Sequence, residues 1–524
     1  MRIVKISINF YWIAAVFFVL PIWLFPNWIT SDGACHTYNA AIISDLLKHP
    51  HQSFFSIFFE WNKLLVPNWF SHIFLGISQQ FFTPSISEKI LASFYVCLFI
   101  YSIYFSQKTF TIPNKYFAIV PLTFIYHFTV FAGFYNYAIS IPLAILLLSL
   151  YYQWIREFTR YRLFLFWLLS ICLFFAHGFG ILIASFACGG LFIFYSFQQK
   201  KFNFSVFFQL VLYWLPSLFL CFIFLKNTAT AIIPSINPTQ LLWELLQSVS
   251  TLIIRSDEEK KYTSLLFSGL SLLIFIAFIK KIKNIKLSIA DLFLVISLLF
   301  LLLYFYQPAS IFDGSLSVER VQVLFFLFIS LWLTTIHWGK LFSLMVFVFF
   351  IYINFNLYSE RKTINEKYAE TFAEIQTVEP FLAAKKIVLP VVLNNFGTTT
   401  NGKFISGRYL FFKHSLGYIG AEKQLILLDN YEANTTHFPL VWKAGFNPYT
   451  QLVASPEIME NEHPKTAISL YEKNIKSPID YIAILFENEN KMHPDMQNIN
   501  ENLAQNFTLI FTSKNKIIQL YKRK

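Results

Sequence analysis

No charged residue occurs between Asn9 and Ile29, yet Asp32 follows almost at once, in FPNWITSDGACHTYNAAIISDLLKH (Phe25 to His49). A carboxylate there has two uses. It can cap the helix that follows, where Tyr38, Ala41, Ile42 and Leu46 recur at helical spacing and predict a short amphipathic helix along a membrane surface; it can also act in catalysis. The two roles are compatible. His36 stands one turn further on, and Asn68 and His72 are four residues apart, a spacing that predicts a shared helix face. Imidazoles so spaced can bind zinc. No recognised zinc motif joins these residues, so they are assigned to the lining of a polar cavity with Tyr38, Asn136, His177 and Glu319. The metal, if there is one, is unknown from sequence.

Arg320 ends a loop, QPASIFDGSLSVER, and opens an apolar run at headgroup depth. An unpaired guanidinium is costly there, and a phosphate would pair with it bidentately. The competing readings are snorkelling to lipid headgroups and pairing with Glu319. Arg255, Lys260 and Lys261 form a second cationic group, which a solvated charge run explains equally well. Further on, Ser415 is accompanied by several histidines and an aspartate, but it lacks the G-x-S-x-G elbow of a hydrolase. NYEANTTHFPL reads as a polar loop that could contact an acceptor, and its Asn434 sequon carries no weight without a secretory route.

The elements that must position these groups are mostly membrane-spanning helices. The chain has 524 residues, 56% hydrophobic and 13% charged, and its apolar residues come in uninterrupted blocks of spanning length. About eleven spans are expected: residues 9 to 29, then 90 to 107, 116 to 134, 137 to 155, 163 to 177, 179 to 197, 204 to 225, 263 to 279, 287 to 306, 321 to 338 and 341 to 358. The segment Leu64 to Phe82 is expected to dip into the membrane or lie along its interface. The net charge of +12 gathers in short clusters between blocks and in the last third, which fits orientation signals better than nucleic-acid binding. Lys108 and Lys115, Arg156 to Arg162, Lys200 and Lys201, KKIKNIK, and Lys340 fall at every second junction. These junctions and the N-terminus are expected in the cytoplasm, with Asp32 and everything after Tyr358 outside. Four of the five cysteines lie inside apolar blocks, so no disulfide framework or paired-cysteine metal site is implied. From Ser359 a charged helix-like run opens a soluble α/β domain, expected over 359–524, with strands at KIVLPVVL, LILLD, YIAILF and TLIFTS. Residues 1–358 form the transmembrane domain, with a first outer loop at 30–86.

This arrangement, with SDGACHTYNAAIISDLL after the first span, resembles the GT-C superfamily of membrane glycosyltransferases. Protein O-mannosyltransferases, the aminoarabinose transferase and oligosaccharyltransferase catalytic subunits belong to it. The lack of a disulfide framework and the overall pattern favour a bacterial inner membrane, and the basic junctions put the C-terminal domain in the periplasm. The resemblance implies an enzyme that would move a sugar from a polyprenyl-phosphate carrier to a lipid, glycan or protein acceptor. Asp32 matches the essential acidic residue of the first outer loop, and the loop before Arg320 looks like the proline-to-arginine loop of several members. The pattern departs at Gly33, where a second acidic residue is common, so metal dependence stays open; a divalent metal is possible. An acceptor hydroxyl attacking the anomeric carbon needs a base, which Asp32 would supply, and the lipid phosphate leaving group needs a cation, for which Arg320 and then Arg255 are candidates. The alternatives are a lipid-linked-sugar flippase, an envelope polysaccharide polymerase or ligase, and a non-catalytic scaffold. A flippase would use charges inside spans, of which Asp291 is the clearest.

Overall fold

The computed structural model describes residues 8–50, 52–110, 115–155, 157–227, 237–283, 288–307, 310–311, 314–315, 318–397, 409–450, 452, 468–486 and 494–524. Arg2, Lys5, Arg156 and Lys286 of the charge pattern lie outside these residues, as do parts of the loops 227–262 and 307–320. The protein is a polytopic α-helical membrane protein. Among the described residues, eight helices are long and apolar enough to cross a membrane: Pro84–Thr109, Tyr135–Trp154, Gly178–Gln198, Phe204–Asn227, Glu259–Lys283, Ile289–Tyr306, Val318–Thr335 and Lys340–Phe381. Ile8–Trp23 and Arg160–Ala176, of 16 and 17 residues, coincide with two further expected spans at the short end of spanning length.

The remaining expected span, 116–134, is not a helix of spanning length. Its hydropathy is right, but the chain breaks into a 3₁₀ turn, Lys115–Ala118, and two single turns, Ile119–Leu122 and Phe128–Phe131. His127 between them is extended, at φ −100° and ψ 171°, and Gly133 ends the segment at φ +84°. Irregular backbone at membrane depth is tolerated only where protein covers it. That condition is met: Phe117, Val120, Leu122, Phe124 and Ile125 are fully buried. Apolar composition alone does not separate a lipid-facing helix from a packed irregular segment.

The chain divides into two compact units, residues 1–21 with 92–362 and residues 22–91 with 363–524. Within the first, Tyr135–Trp154 and Val318–Thr335 are interior helices, with 83% and 78% of their apolar stretch buried, against 28% for Phe204–Asn227. The latter exposes Phe204, Phe208, Phe219 and Phe222, as a lipid-facing helix must. Asp291, the acidic residue noted inside a span, is neutralised by Lys281 at 2.7 Å and accepts the Trp332 indole N–H at 3.0 Å.

The second unit joins residues 22–91, which contain the segment between the first two long apolar runs, to the C-terminal segment. Strand β1 (Phe59–Trp61) comes from the former; β2 (Ser310–Ile311) and β3 (Gly314–Ser315) form a small hairpin in the first unit. The remaining strands are β4 (Ile387–Val392), β5 (Ile426–Leu427), β6 (Leu440–Trp442), β7 (Tyr481–Leu485), β8 (Phe507–Thr512) and β9 (Ile518–Arg523). β1 pairs antiparallel with β6, and the others form a mixed sheet in the order β5-β4-β7-β9-β8. The four expected strands are present. β9 was not anticipated, because IQLYKR mixes charge into its alternation, yet it pairs with both β7 and β8. Pro390 sits inside β4 without breaking it: Val388 bonds toward β5 through its carbonyl, so the proline nitrogen two residues on points past the end of that short strand. The charged run after Ser359 continues the preceding helix, since no proline or glycine interrupts Lys340–Gln376.

Candidate functional site

The helix after Asp32 spans Gly33–Lys48 and is buried further than an amphipathic surface helix would be. Every residue from Gly33 to Ala40 is buried, and only the last two turns alternate with exposed positions. Its first turn packs against Gly417–Lys423, and its later turns against Phe70–Ser78. The latter is nine residues long, about 14 Å, and too short to cross a bilayer. Asn68 precedes it at φ +68° and is not on its face; it reaches His72 through the backbone instead, its carbonyl lying 2.9 Å from His72 Nδ1.

Asp32 occupies the N-cap position of Gly33–Lys48, but its side chain makes no cap hydrogen bond. Its Oδ2 accepts the Tyr431 hydroxyl at 2.7 Å. Tyr431 stacks on His414, and Lys413 Nζ lies 5.0 Å from its ring centre. Burial and the neighbouring Asp32 carboxylate push the Tyr431 phenol well up, so the phenol is a donor and Asp32 the acceptor. Helix capping therefore does not account for the direction of this carboxylate.

One turn on, His36 Nδ1 lies 2.6 Å from Glu432 Oε1, and His72 Nε2 lies 3.0 Å from Glu432 Oε2. The two imidazoles meet edge to face at 5.1 Å, and Phe438 lies beside both, at 5.9 and 5.8 Å. All three polar side chains are at most 3% exposed. Burial opposes charge on each, but the facing partners outweigh it: His36 is raised above the ordinary imidazole value and Glu432 is held well below the carboxylate range. Asn39 supports the carboxylate, donating to Glu432 Oε2 at 2.8 Å while exchanging hydrogen bonds with Asn430. No sequence motif joins His36 and His72; Glu432, which the fold brings to both, lies 360 residues after His72, in the loop NYEANTTHFPL.

Glu88 is a further residue that hydropathy did not bring forward. It lies in the first turns of Pro84–Thr109, fully buried, accepts the Thr30 hydroxyl at 3.1 Å and pairs with the Tyr418 hydroxyl. This accounts for Gly33. A Cβ there would stand 1.8 Å from Glu88 Oε1 and 2.2 Å from Thr30 Oγ1, so the space a second acidic side chain at 33 would enter is filled by a carboxylate from another helix.

Tyr38 is fully engaged in the fold: its hydroxyl donates to the Leu425 carbonyl at 2.6 Å and accepts Leu427 N–H at 3.1 Å, tying the helix to β5. Ser415 donates its hydroxyl to the Phe412 carbonyl, a structural use. The other expected residues belong to the first unit. Arg320 lies over Phe134 at 4.4 Å and Tyr137 at 5.5 Å, and its carbonyl accepts the Tyr137 hydroxyl. His177 caps Gly178–Gln198 by accepting Phe179 N–H, with its ring 5.3 Å from Tyr137. Asn136 is buried in the first turn of Tyr135–Trp154, and the backbone carbonyl of Glu319 accepts the Thr251 hydroxyl. Arg255 is 1% exposed against Phe131, in a turn organised by Glu259, whose carboxylate accepts the backbone N–H groups of Ile254, Arg255 and Ser256 and pairs with Arg361. Lys261 extends over Tyr262, as a solvated side chain does.

No protein-family model matches this chain, and no curated protein matches it in sequence. Among solved structures it is similar to the Archaeoglobus fulgidus oligosaccharyltransferase in its apo form, with a TM-score of 0.48 and 10% identity over 99% of this chain and 75% of that one.

Proposed function

We propose that this chain is a membrane glycosyltransferase that moves a sugar from a polyprenyl-phosphate carrier to an acceptor hydroxyl on the extracytoplasmic face, with Asp32 as general base. The carrying observation is the Asp32 carboxylate: half-buried, unused as a helix cap, and held by the Tyr431 hydroxyl at 2.7 Å. As the acceptor oxygen bonds to the anomeric carbon, its proton passes to Asp32 and the carbon–oxygen bond to the phosphate breaks, inverting the centre. The departing phosphate keeps the electron pair and needs a fixed cation. Arg320, held over two aromatic rings, is assigned to it, and Arg255 is the second candidate. The cytoplasmic N-terminus and outer placement of Asp32 follow the alternation of basic junctions, and a bacterial inner membrane with a periplasmic C-terminal segment is the setting that fits.

The test is transfer of labelled sugar from a panel of polyprenyl-phosphate donors to a membrane extract by the purified protein in nanodiscs. Asp32→Asn is expected to lower turnover about 10²- to 10⁴-fold while remaining folded. Undiminished transfer by that variant would remove Asp32 from the chemistry, and flux of an unmodified carrier without transfer would favour a flippase.

A further inference from the structure

The His36, His72 and Glu432 cluster has a donor arrangement that hydrogen bonding among neutral side chains cannot satisfy. His72 Nδ1 faces the Asn68 carbonyl at 2.9 Å, and a carbonyl only accepts, so Nδ1 carries the proton. In a neutral ring Nε2 then presents a lone pair, and it faces a carboxylate oxygen at 3.0 Å. Two acceptors at that separation need a proton or a cation between them. A second imidazole nitrogen meets the other oxygen of the same carboxylate, and the ligating atoms of all three residues lie within 4.8 Å of one another.

We propose that His36, His72 and Glu432 form a binding site for one divalent transition-metal ion of the zinc class, distinct in its residues from the Asp32 base. Two imidazoles and one carboxylate, with a fourth position left open, are a recurring zinc donor set. Zinc–nitrogen and zinc–oxygen distances of about 2.0–2.1 Å place tetrahedral donors roughly 3.3 Å apart. The 2.6 and 3.0 Å nitrogen–oxygen separations therefore need to widen by less than about 1 Å. The outer partners that metal ligands require are already in place: a backbone carbonyl on the far nitrogen of His72, and Asn39 on the carboxylate. Phe438 provides an apolar wall beside both rings. The ligands come from the helix after Asp32, the short helix Phe70–Ser78 and the loop after β5, so the ion would staple the first outer loop to the C-terminal segment within one compact unit.

The test uses the full chain, purified without a histidine tag in detergent, stripped with a chelator, and titrated with Zn²⁺ and with Co²⁺. One equivalent per chain is expected, with a tetrahedral Co²⁺ visible spectrum and a rise in melting temperature on binding. His72→Ala and Glu432→Gln should lose that equivalent, while His414→Ala keeps it and Asn39→Ala weakens it about 10- to 100-fold. His36→Cys separates ligand loss from misfolding, because a thiolate ligand adds a charge-transfer absorption to the Co²⁺ spectrum. Failure of the folded wild type to bind an equivalent overturns the site, as does binding unchanged in both His72→Ala and Glu432→Gln. Neither result depends on glycosyl transfer, so the site stands or falls apart from the enzyme reading.

Discussion

Replacing Gly417 by alanine should be one of the costliest single-methyl additions in the second unit. The added Cβ would stand 2.4 Å from the Ala34 carbonyl oxygen and 2.7 Å from its carbon, where ordinary contact begins at 3.4 Å. Relief therefore requires about 1 Å of movement, and the atoms in the way are backbone, so no rotamer change supplies it. Ala34 belongs to the first turn of Gly33–Lys48, and Gly417 opens Gly417–Lys423. Overpacking costs roughly 1–3 kcal/mol, and a rigid neighbour puts this case near about 3 kcal/mol. For a unit of roughly 230 residues that corresponds to a fall in melting temperature of about 6–12 °C. Gly420→Ala is the matched control. Its Cβ meets Leu427 Cδ1 at 2.6 Å, the far end of a flexible side chain, and a fall of only about 2–4 °C is expected. Thermal melts of both variants in the same detergent decide the matter. The movement would also carry Asp32, and under the proposed base role a displacement of about 1 Å there is expected to cost roughly 100-fold in turnover. If Gly417→Ala melts no lower than Gly420→Ala, the close packing of these two helices is refuted.

Gly33→Ala should lower the folded yield, because its Cβ makes the buried Glu88 and Thr30 side chains shift from their mutual hydrogen bond; combining it with Glu88→Ala should restore part of that yield, measured by size-exclusion chromatography. Arg361→Met should destabilise the first unit by about 3–5 kcal/mol, since it leaves the fully buried Glu259 carboxylate without its 2.6 Å partner; an unchanged melt would show that the backbone N–H groups alone hold that charge. The metal-stripped protein should also lose stability from neutral to alkaline pH. His36 has a folded value raised above its unfolded value of about 6.5, so its contribution is complete below that pH and is lost as pH rises through the folded value. Glu432 is shifted the other way: its contribution is present above about pH 4.3 and is lost as pH falls through the depressed value. Melting curves between pH 6 and 9 in chelator should therefore slope downward in the wild type and be flatter in Glu432→Gln; equal slopes would show that this pair does not govern the window.

Composition and block length determined the membrane class, because a chain with so many uninterrupted apolar runs of spanning length matches what the bilayer core requires of its helices. Ten of the eleven expected spans coincide with helices, and the four expected strands of the C-terminal segment are present, since hydrophobic periodicity is a local property. The segment 116–134 escaped that logic. Its apolar residues fill the interior of the first unit, where packing supports irregular backbone that lipid would not. Asp32 stood out in the sequence because an acidic residue just after an uncharged run is conspicuous, and the structure sets its carboxylate against the Tyr431 hydroxyl.

What joined Asp32 and His36 to anything else was tertiary. Glu432 stands in an ordinary polar loop about 400 residues after His36, and nothing in its neighbours marks it; only the packing of that loop against the helices Gly33–Lys48 and Phe70–Ser78 puts its carboxylate between two imidazoles. Glu88 was hidden at the start of an apolar helix, and its meaning depends on Gly33 leaving it room. Sequence spacing reports which groups share one helix or strand. Which groups share a buried volume is decided by how the helices pack, and there desolvation makes each pairing count.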